Sequence, residues 1–262
     1  MSGSLMVDRP AEGVLRLAIS NPAKRNALDH AILGTISDEL AGLGDDVRCV
    51  ILTGAHGMFS SGYDISDIPR DDFPVQAEKL VAHPFCRGMT ALDALDIPTL
   101  AVLSGSAIGG GLELAVACDL RLAGSHIKLG MPPAKLGLIY SHSGLRRFID
   151  AVGAPRTREL FLLGRYIDAA TAASWGLVNW VVDEDELEDA GLTIARQLAA
   201  NAPLSMAGNK RVLRELLAAE GAVDPDVERE LLGLRASSFD SEDLVEGVAA
   251  FAEKRRPSWK GR

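Results

Sequence analysis

Apolar and polar positions along the first hundred residues follow the spacing of strands and of one helix. Residues 15–19 alternate between large apolar and polar or small side chains, as in a half-buried strand. Residues 47–53 and 99–103 are short, nearly continuous apolar runs, which are typical of strands covered on both faces. From Leu28 to Leu43 apolar residues recur on one helix face, and Asp29 is placed to cap its start. This order of elements predicts an α/β architecture with short crossovers.

The last third of the chain is predicted to be mostly helical. Helical spacing recurs in four late segments, 158–163, 187–200, 204–217 and 244–253. Residues 178–182 are the only late segment with the composition of a strand. Because no Ser-, Gly- or Pro-rich linker precedes these helices, we expect an α/β core over residues 1–195, with a helical region, residues 196–262, packed against it.

Composition and charge narrow the classes of function. The 262 residues are 47% hydrophobic and 24% charged, with a formal net charge of -9, which fits a packed domain and disfavours binding to nucleic acid or an anionic membrane surface. The three cysteines are far apart and form no CxxC pair, so neither a disulfide framework nor a structural zinc site is predicted. The start of the chain has no export or transit pattern, so a cytoplasmic location is expected.

The longest apolar tract does not predict a membrane span. Residues 99–120 are interrupted by glycines and contain Glu113 and Asp119. A charge at the centre of a bilayer costs roughly 2.5–3.5 kcal/mol on insertion scales. The tract is therefore interpreted as a strand, a glycine loop and a buried helix.

Several common catalytic motifs are absent. The sequence has no GxGxxG, GxxxxGK(S/T), HExxH or GxSxG pattern, and its five histidines lack metal-ligand spacing. Ser141-His142-Ser143 does not predict a catalytic triad, because neighbours on a turn rarely point at each other. The acidic run 183–189 is interpreted as a solvated helix start. No metal site is predicted.

Two glycine-bearing loops are the strongest candidates for a binding site. Residues 54–65 and 104–115 each follow a predicted buried strand, and the second leads into a helix. Glycines let the backbone approach a ligand, and free N–H groups at a helix start favour negative charge. We therefore expect the two loops to hold one oxyanion between them. The alternative is that Gly109–Gly111 serves only the tight packing of a helix.

These loops, together with segments 21–28 and 240–259, make the chain similar to the crotonase (enoyl-CoA hydratase/isomerase) family over essentially its whole length. The resemblance implies an α/β spiral of ββα units with a C-terminal helical trimerisation region, assembled as a homotrimer or homohexamer. It also implies an acyl-CoA substrate, with no metal and no redox cofactor. Some relatives bind RNA, which the net charge of -9 disfavours here.

The resemblance also implies roles for individual residues. The backbone N–H groups of Tyr63 and Gly110 match the family's oxyanion hole, which stabilises a thioester enolate. Six further residues match positions that bind coenzyme A in relatives: Ala23, Lys24, Arg25 and Ser61 at the adenosine end, and Phe251 and Lys254 near the C terminus, often from a neighbouring subunit. For Lys254, a solvated helix residue is the alternative.

The pair of glutamates that the family's hydratases use is incomplete. The first matches Glu113, whereas the second falls at Pro133. Proline can neither donate nor accept a proton, and a general acid–base group typically contributes about 10²–10⁴-fold to a rate. Efficient hydration is therefore not expected. Ordinary double-bond isomerisation, which in the family commonly relies on the same position, is not expected either.

Tyr140 indicates a particular branch of the family. It ends a Pro-x-x-Leu-Gly-x-x-Tyr pattern that, with Glu113 kept, is similar to methylmalonyl-CoA decarboxylases. The resemblance implies that Tyr140 hydrogen-bonds the substrate carboxylate and sets its angle, with Glu113 as a polar neighbour or proton relay. A packing aromatic with a surface hydroxyl is the alternative for Tyr140. Tyr63 stands where relatives in this branch can carry histidine, so the pocket wall can differ.

Three hypotheses follow, from different classes of function. The first is an enzyme that decarboxylates a short malonyl-type CoA thioester. The second is an enoyl-CoA hydratase or isomerase that uses Glu113 alone. The third is an inactive CoA-binding scaffold, which would bind acyl-CoA without turning it over.

Overall fold

Two β-sheets form the framework of the computed structural model, which describes residues 3–64, 85–220 and 224–260. The strands are β1 (Ser4–Ala11), β2 (Val14–Ser20), β3 (Cys49–Gly54), β4 (Thr99–Leu103), β5 (Ala107–Ile108), β6 (Leu120–Gly124), β7 (Lys128–Gly130), β8 (Tyr166–Asp168) and β9 (Trp180–Val182). The larger sheet has the order β1-β2-β3-β4-β6-β9, with β1 and β2 antiparallel and its other pairs parallel. In the smaller sheet, β7 pairs with β5 in parallel and with β8 antiparallel.

Helices connect the strands and fill the C-terminal part of the chain. Those within the described residues are α1 (His30–Ala41), α2 (Cys86–Ala94), α3 (Gly110–Val116), α4 (Pro133–Leu136), α5 (His142–Leu163), α6 (Ala169–Ser174), α7 (Leu187–Ala200), α8 (Pro203–Glu220), α9 (Pro225–Phe239) and α10 (Glu242–Ala252). The predicted cap of α1 is confirmed, because the Asp29 carboxylate accepts a hydrogen bond from the Ile32 N–H at 2.9 Å.

The larger sheet is covered on both faces. Val50 and Leu52 of β3 belong to the main core, which also contains the apolar face of α1. Cys49 and Ile51 point the other way and pack with Leu187 of α7. Both faces therefore require apolar side chains, which explains why β3 and β4 are continuous apolar runs in the sequence.

The strands predicted at 15–19, 47–53 and 99–103 are confirmed as β2, β3 and β4. The tract 99–120 forms β4, a loop with β5, and the buried helix α3, as predicted. Among the described helices, none is both long enough and apolar enough to cross a bilayer.

Short and exposed strands were not predictable from the spacing of apolar residues. The prediction that 178–182 is the only late strand is wrong, because β8 pairs with β7. Three residues are too few to show a period of two. β1 was also not predicted, because it is an edge strand with mostly exposed side chains.

The division into residues 1–195 and 196–262 stays a prediction. α7 spans the proposed boundary, and it packs against β3, β4 and β6 of the larger sheet. Within residues 203–220 and 224–260, which the structure describes, the helices after α7 follow without an intervening strand.

Asn26 ties the loop after β2 to the loop after β3. Its side chain is buried, and its Nδ2 donates to the carbonyls of Ala55 at 2.7 Å and Met58 at 2.6 Å. Its Oδ1 accepts a hydrogen bond from the Asn21 N–H at 2.8 Å. The φ of Asn26 is 55°, a left-handed conformation that asparagine tolerates better than most residues. One buried side chain therefore bonds the backbone of both loops.

We expect Asn26→Ala to lower the free energy of unfolding by about 2–4 kcal/mol. The change leaves buried backbone groups without their hydrogen-bond partner and places alanine at a positive φ. Urea denaturation followed by circular dichroism measures the loss. Asn209→Ala is the control, because its exposed amide bonds Ser205, and it should cost less than about 0.5 kcal/mol. Equal losses in the two variants would refute the role of Asn26.

Candidate active site

The two predicted glycine loops are joined edge to edge. The Ser60 N–H donates to the Ser106 carbonyl at 3.2 Å, and the Ile108 N–H donates to the Ser60 carbonyl at 3.0 Å. The Gly109 N–H donates to the Gly130 carbonyl of β7 at 2.9 Å. These bonds place the end of the first loop beside the start of α3. Residue 65, the last of the first predicted loop, lies outside the described residues.

Glycines allow this close approach. Gly62 has a φ of 98°, and a Cβ on it would lie 2.9 Å from the Ile108 carbonyl oxygen. A Cβ on Gly111 would lie 2.6 Å from the Cβ of Ser60. The packing interpretation of the triple glycine therefore accounts for Gly111. Gly109 instead uses its backbone freedom, with a φ of 56° and a ψ of -126° before α3.

Tyr63 and Gly110 lie next to each other. A Cβ on Gly110 would lie 2.8 Å from Cζ of the Tyr63 ring. The backbone of Leu28 bonds Gly62 and Asp64, so the intervening Tyr63 N–H points away from Leu28. Gly110 is the first residue of α3, where an N–H has no partner within the helix. Within the described residues neither N–H donates to a protein acceptor, so both remain available to a ligand.

Glu113 is a buried carboxylate held by two side chains. It projects from the first turn of α3 and is 2% exposed. Its Oε2 accepts a hydrogen bond from the Tyr140 hydroxyl, and its Oε1 accepts one from the Arg147 guanidinium at 3.2 Å. Arg147 also forms an ion pair with Asp93 of α2. A Cβ on Gly144 would lie 2.9 Å from Glu113 Oε1, so this glycine lets α5 approach α3.

Burial dominates the protonation of this cluster. It raises the pKa of Glu113 above its usual range, while the Tyr140 hydrogen bond and the Arg147 charge act in the opposite direction. Burial and the Glu113 charge raise the pKa of Tyr140 and Tyr63 well above the usual value for a tyrosine. Both phenols therefore keep their protons at neutral pH. A proton is also easier to retain at Glu113 than at an exposed glutamate.

The structure does not support the alternative interpretation of Tyr140 as a packing aromatic with a surface hydroxyl, and its predicted role toward a substrate carboxylate stays a prediction. Its hydroxyl is not at the surface but donates to Glu113, and its ring meets Phe161 edge-on with centroids 5.3 Å apart. In this structure the Tyr140 hydroxyl is therefore bonded to Glu113. The sequence pattern identified a residue of the site, but it could not show that Glu113 is its acceptor.

A cavity of about 290 Å³ adjoins this cluster. It is lined by Tyr63, Phe85, Cys86, Met89, Thr90, Asp93, Glu113, Leu138, Ile139, Tyr140, Ser141, Ser143, Arg147, Arg235 and Phe239. Three charged members were not predicted from the sequence: Asp93, Arg147 and Arg235. No spacing distinguishes Arg147 from its neighbour Arg146, which pairs instead with Asp150 on the outside of α5. Within the described part of the chain, no group of three or more His, Cys, Asp or Glu residues is arranged to hold a metal ion.

Comparison with known proteins identifies the family. A profile described as enoyl-CoA hydratase/isomerase matches residues 9–262. The chain belongs to this family, the crotonase family. Carnitinyl-CoA dehydratase from Salmonella arizonae is 33% identical over 271 residues, covering 100% of both chains. The 2,3-dehydroadipyl-CoA hydratase of Escherichia coli is 32% identical over 260 residues, covering 98% of this chain and 99% of the relative.

Solved structures agree with this assignment. The structure of methylmalonyl-CoA decarboxylase in complex with 2-nitronate-propionyl-CoA has a TM-score of 0.89 and 29% identity, covering 98% of each chain. The expected crotonase fold, with two sheets and C-terminal helices, is therefore confirmed. These relatives are named for dehydration, hydration and decarboxylation. Membership thus establishes a crotonase-family acyl-CoA protein, and the choice of reaction depends on the site.

Pro133 is the residue that the sequence resemblance matched to the second glutamate of the family's hydratases. It is buried and is the first residue of α4. Among the described residues that line the cavity, the carboxylates are Glu113 and Asp93, and Arg147 contacts both.

The residues matched to the adenosine end of coenzyme A lie together in this crotonase-family chain. The Ser61 hydroxyl donates to the Lys24 carbonyl, and the Ser61 N–H donates to the Arg25 carbonyl, both at 3.1 Å. Ala23 and Arg25 are exposed. The Lys24 ammonium is 2.7 Å from Asp64, so a phosphate at Lys24 would meet a cation that already has a carboxylate partner.

Phe251 and Lys254 lie at the end of α10. Phe251 is 70% exposed, and Lys254 has a φ of 55° just after the helix. In the described residues, no hydrogen bond or ion pair joins either of them to residues 21–26 or 54–64.

We expect Gly111→Ala to lower the free energy of unfolding by about 1–3 kcal/mol. The added methyl would overlap Ser60 and force the two glycine loops apart. Gly34→Ala in α1 is the matched control, because no atom lies within 4 Å of its Cβ position, and it should be neutral or stabilising by up to about 1 kcal/mol. Urea denaturation compares the two. A Gly111→Ala protein as stable as Gly34→Ala would contradict the described packing.

The raised pKa of Glu113 predicts a pH dependence of stability. Because folding disfavours the charged carboxylate, its contribution to stability is fully present below pH 4.5 and is lost as the pH rises through the folded-state pKa. Relative to Glu113→Gln, the native chain should therefore lose free energy of unfolding with increasing pH. Urea denaturation of both proteins across a pH series measures this difference. If the native protein instead became more stable relative to Glu113→Gln as the pH rises, the charge of Arg147 would outweigh the effect of burial on the Glu113 pKa.

Proposed function

We propose that this protein decarboxylates a short malonyl-type CoA thioester. The observation that carries the proposal is that Tyr140 and Arg147 occupy both oxygens of Glu113. The resemblance adds that Pro133 falls where hydratases have a second carboxylate. Hydration requires a group that deprotonates water and a source for the new α-proton. Decarboxylation requires neither a base nor an attacking water, because the electron pair comes from the breaking C–C bond.

The reaction begins with the thioester oxygen near the N–H groups of Tyr63 and Gly110. The bond between the α-carbon and the carboxylate breaks, CO₂ leaves, and the electron pair moves into the thioester to form an enolate. The two amides stabilise the negative oxygen, and one such donor is typically worth about 3–4 kcal/mol of barrier. The availability of both N–H groups supports this assignment.

Protonation of the α-carbon completes the reaction. The enolate collapses, the α-carbon accepts a proton, and the acyl-CoA product forms. Tyr140 and Glu113 share a hydrogen bond beside the cavity, and burial favours the protonated forms of both. In this proposal they supply the proton, with Arg147 holding Glu113 in place.

The nucleotide half of the substrate lies, in this proposal, along Ala23, Lys24, Arg25 and Ser61. These residues are adjacent at the exposed edge of the first loop. Phe251 and Lys254 cover the nucleotide from a neighbouring subunit of a homotrimer or homohexamer. The exposure of Phe251 in the single chain is consistent with such a role.

Hydration by Glu113 is the second candidate. Two named relatives, a dehydratase and a hydratase, share about a third of their residues with this chain. Asp93 supplies the cavity with another carboxylate, although Arg147 holds it. In this alternative Glu113 is the acid–base group that deprotonates water, and the Tyr140 hydroxyl contributes little to the rate.

Assays with methylmalonyl-CoA, ethylmalonyl-CoA and crotonyl-CoA test the proposal. We expect CO₂ release from at least one malonyl thioester, and hydration of crotonyl-CoA at least about 100-fold slower, because the second acid–base group is missing. Rapid hydration of crotonyl-CoA with inert malonyl thioesters would overturn the proposal. Binding of these thioesters without turnover would indicate a CoA-binding scaffold.

Two variants separate the candidate reactions. Tyr140→Phe should slow decarboxylation about 10-fold or more, because it removes the hydroxyl bonded to Glu113. Tyr166→Phe is the matched control, since it removes a hydroxyl from an exposed ring outside the cavity and should leave the rate unchanged. In a single-glutamate hydratase, Glu113→Gln would abolish turnover while Tyr140→Phe had little effect.

A further inference from the structure

The cavity contains two arginines in different electrostatic situations. Arg147 forms ion pairs with Asp93 and Glu113, so its charge is balanced within the protein. Arg235 also lines the cavity and is half-buried. In the described part of the chain, Arg235 forms no ion pair with any carboxylate. The two described carboxylates of this cavity, Glu113 and Asp93, are already paired with Arg147. Arg235 acts on Glu113 only at longer range. A partly desolvated cation without a directly bonded anion favours a ligand that supplies one.

Arg235 is oriented by its own helix. Its Cζ lies 5.6 Å from the centroid of the Phe239 ring, one turn further along α9, and both side chains line the cavity. α9 packs against α5 and α10, so Arg235 is contributed to the cavity by the C-terminal helices. A guanidinium presents parallel N–H donors that match the two oxygens of a carboxylate.

We infer that Arg235 selects acyl groups that carry a free carboxylate. The inference rests on the proposed function only in that this cavity receives the acyl group of a CoA thioester. The carboxylate of the acyl group forms an ion pair with the guanidinium. A neutral acyl group of the same length cannot form this ion pair. Arg235 is thus the residue that distinguishes a carboxylated acyl-CoA from an ordinary fatty acyl-CoA.

The charge movement in decarboxylation defines what Arg235 contributes. The negative charge leaves the carboxylate and moves to the thioester oxygen as CO₂ forms. Contact with Arg235 therefore stabilises the bound substrate more than the transition state, and interactions of that kind lower KM without raising kcat. Arg235→Met should raise KM for methylmalonyl-CoA about 10-fold and should not lower kcat.

Equilibrium binding tests the inference without any turnover. Succinyl-CoA and butyryl-CoA have acyl groups of similar length, and the first ends in a carboxylate where the second ends in a methyl group. We expect native protein to bind succinyl-CoA about 10- to 100-fold more tightly in isothermal titration calorimetry, as for a hydrogen-bonded charge pair. Arg235→Met should abolish this preference and change butyryl-CoA affinity less than about twofold, whereas Arg235→Lys should retain part of it.

Arg229→Met is the matched control on the same helix. Arg229 is exposed and pairs with Asp226, so its removal changes net charge equally without altering the cavity. It should leave the succinyl-CoA preference intact. Thermal melting of each variant verifies that α9 remains folded.

Each outcome of these measurements has a separate meaning. Equal weakening of both thioesters by Arg235→Met would overturn the inference, because it would assign Arg235 to the CoA phosphates or to the packing of α9. No preference for succinyl-CoA in the native protein would overturn it as well. An Arg235-dependent preference without malonyl decarboxylation would refute the proposed reaction and keep the inference. If the protein decarboxylates malonyl thioesters and Arg235→Met leaves KM unchanged, the proposed reaction stands and the inference about Arg235 is refuted.

Discussion

The candidate site depends on the close contact between two backbone loops. Ser60 pairs with the strand at Ser106–Ile108, and the absence of a side chain on Gly111 lets α3 approach Ser60. Any side chain at that point would separate Tyr63 from the start of α3. Main-chain amides are suited to this geometry because their positions are set by the loops and not by rotatable side chains.

The position of Glu113 follows from the same contact. α3 begins where the loops meet, so its first turn carries the carboxylate into the core beside Tyr140. Burial there makes the charged form costly, and Arg147 compensates in part. The result is a carboxylate whose two oxygens are already bonded to donors and whose proton affinity is raised by burial more than these donors lower it.

Charge is distributed unevenly around the cavity. Arg147 is shared between Asp93 and Glu113, while Arg235 faces the cavity from α9. Three helices from different parts of the chain therefore contribute the charged groups: α3 carries Glu113, α5 carries Arg147 and α9 carries Arg235. A family resemblance at about 30% identity defines the scaffold on which these groups stand, and the side chains in the cavity decide the chemistry.

The sequence by itself determined the buried strands, the cap of α1 and the glycine loops, while Glu113 and Tyr140 were matched to a site through the family resemblance. These features leave local signals, because buried strands need continuous apolar runs and close backbone approach needs glycine. Only the tertiary structure decided that Tyr140 donates to Glu113, that Arg147 balances it, and that Arg235 enters the cavity. Such pairings join residues distant along the chain, and no local spacing encodes which charged side chain of an exposed helix turns inward.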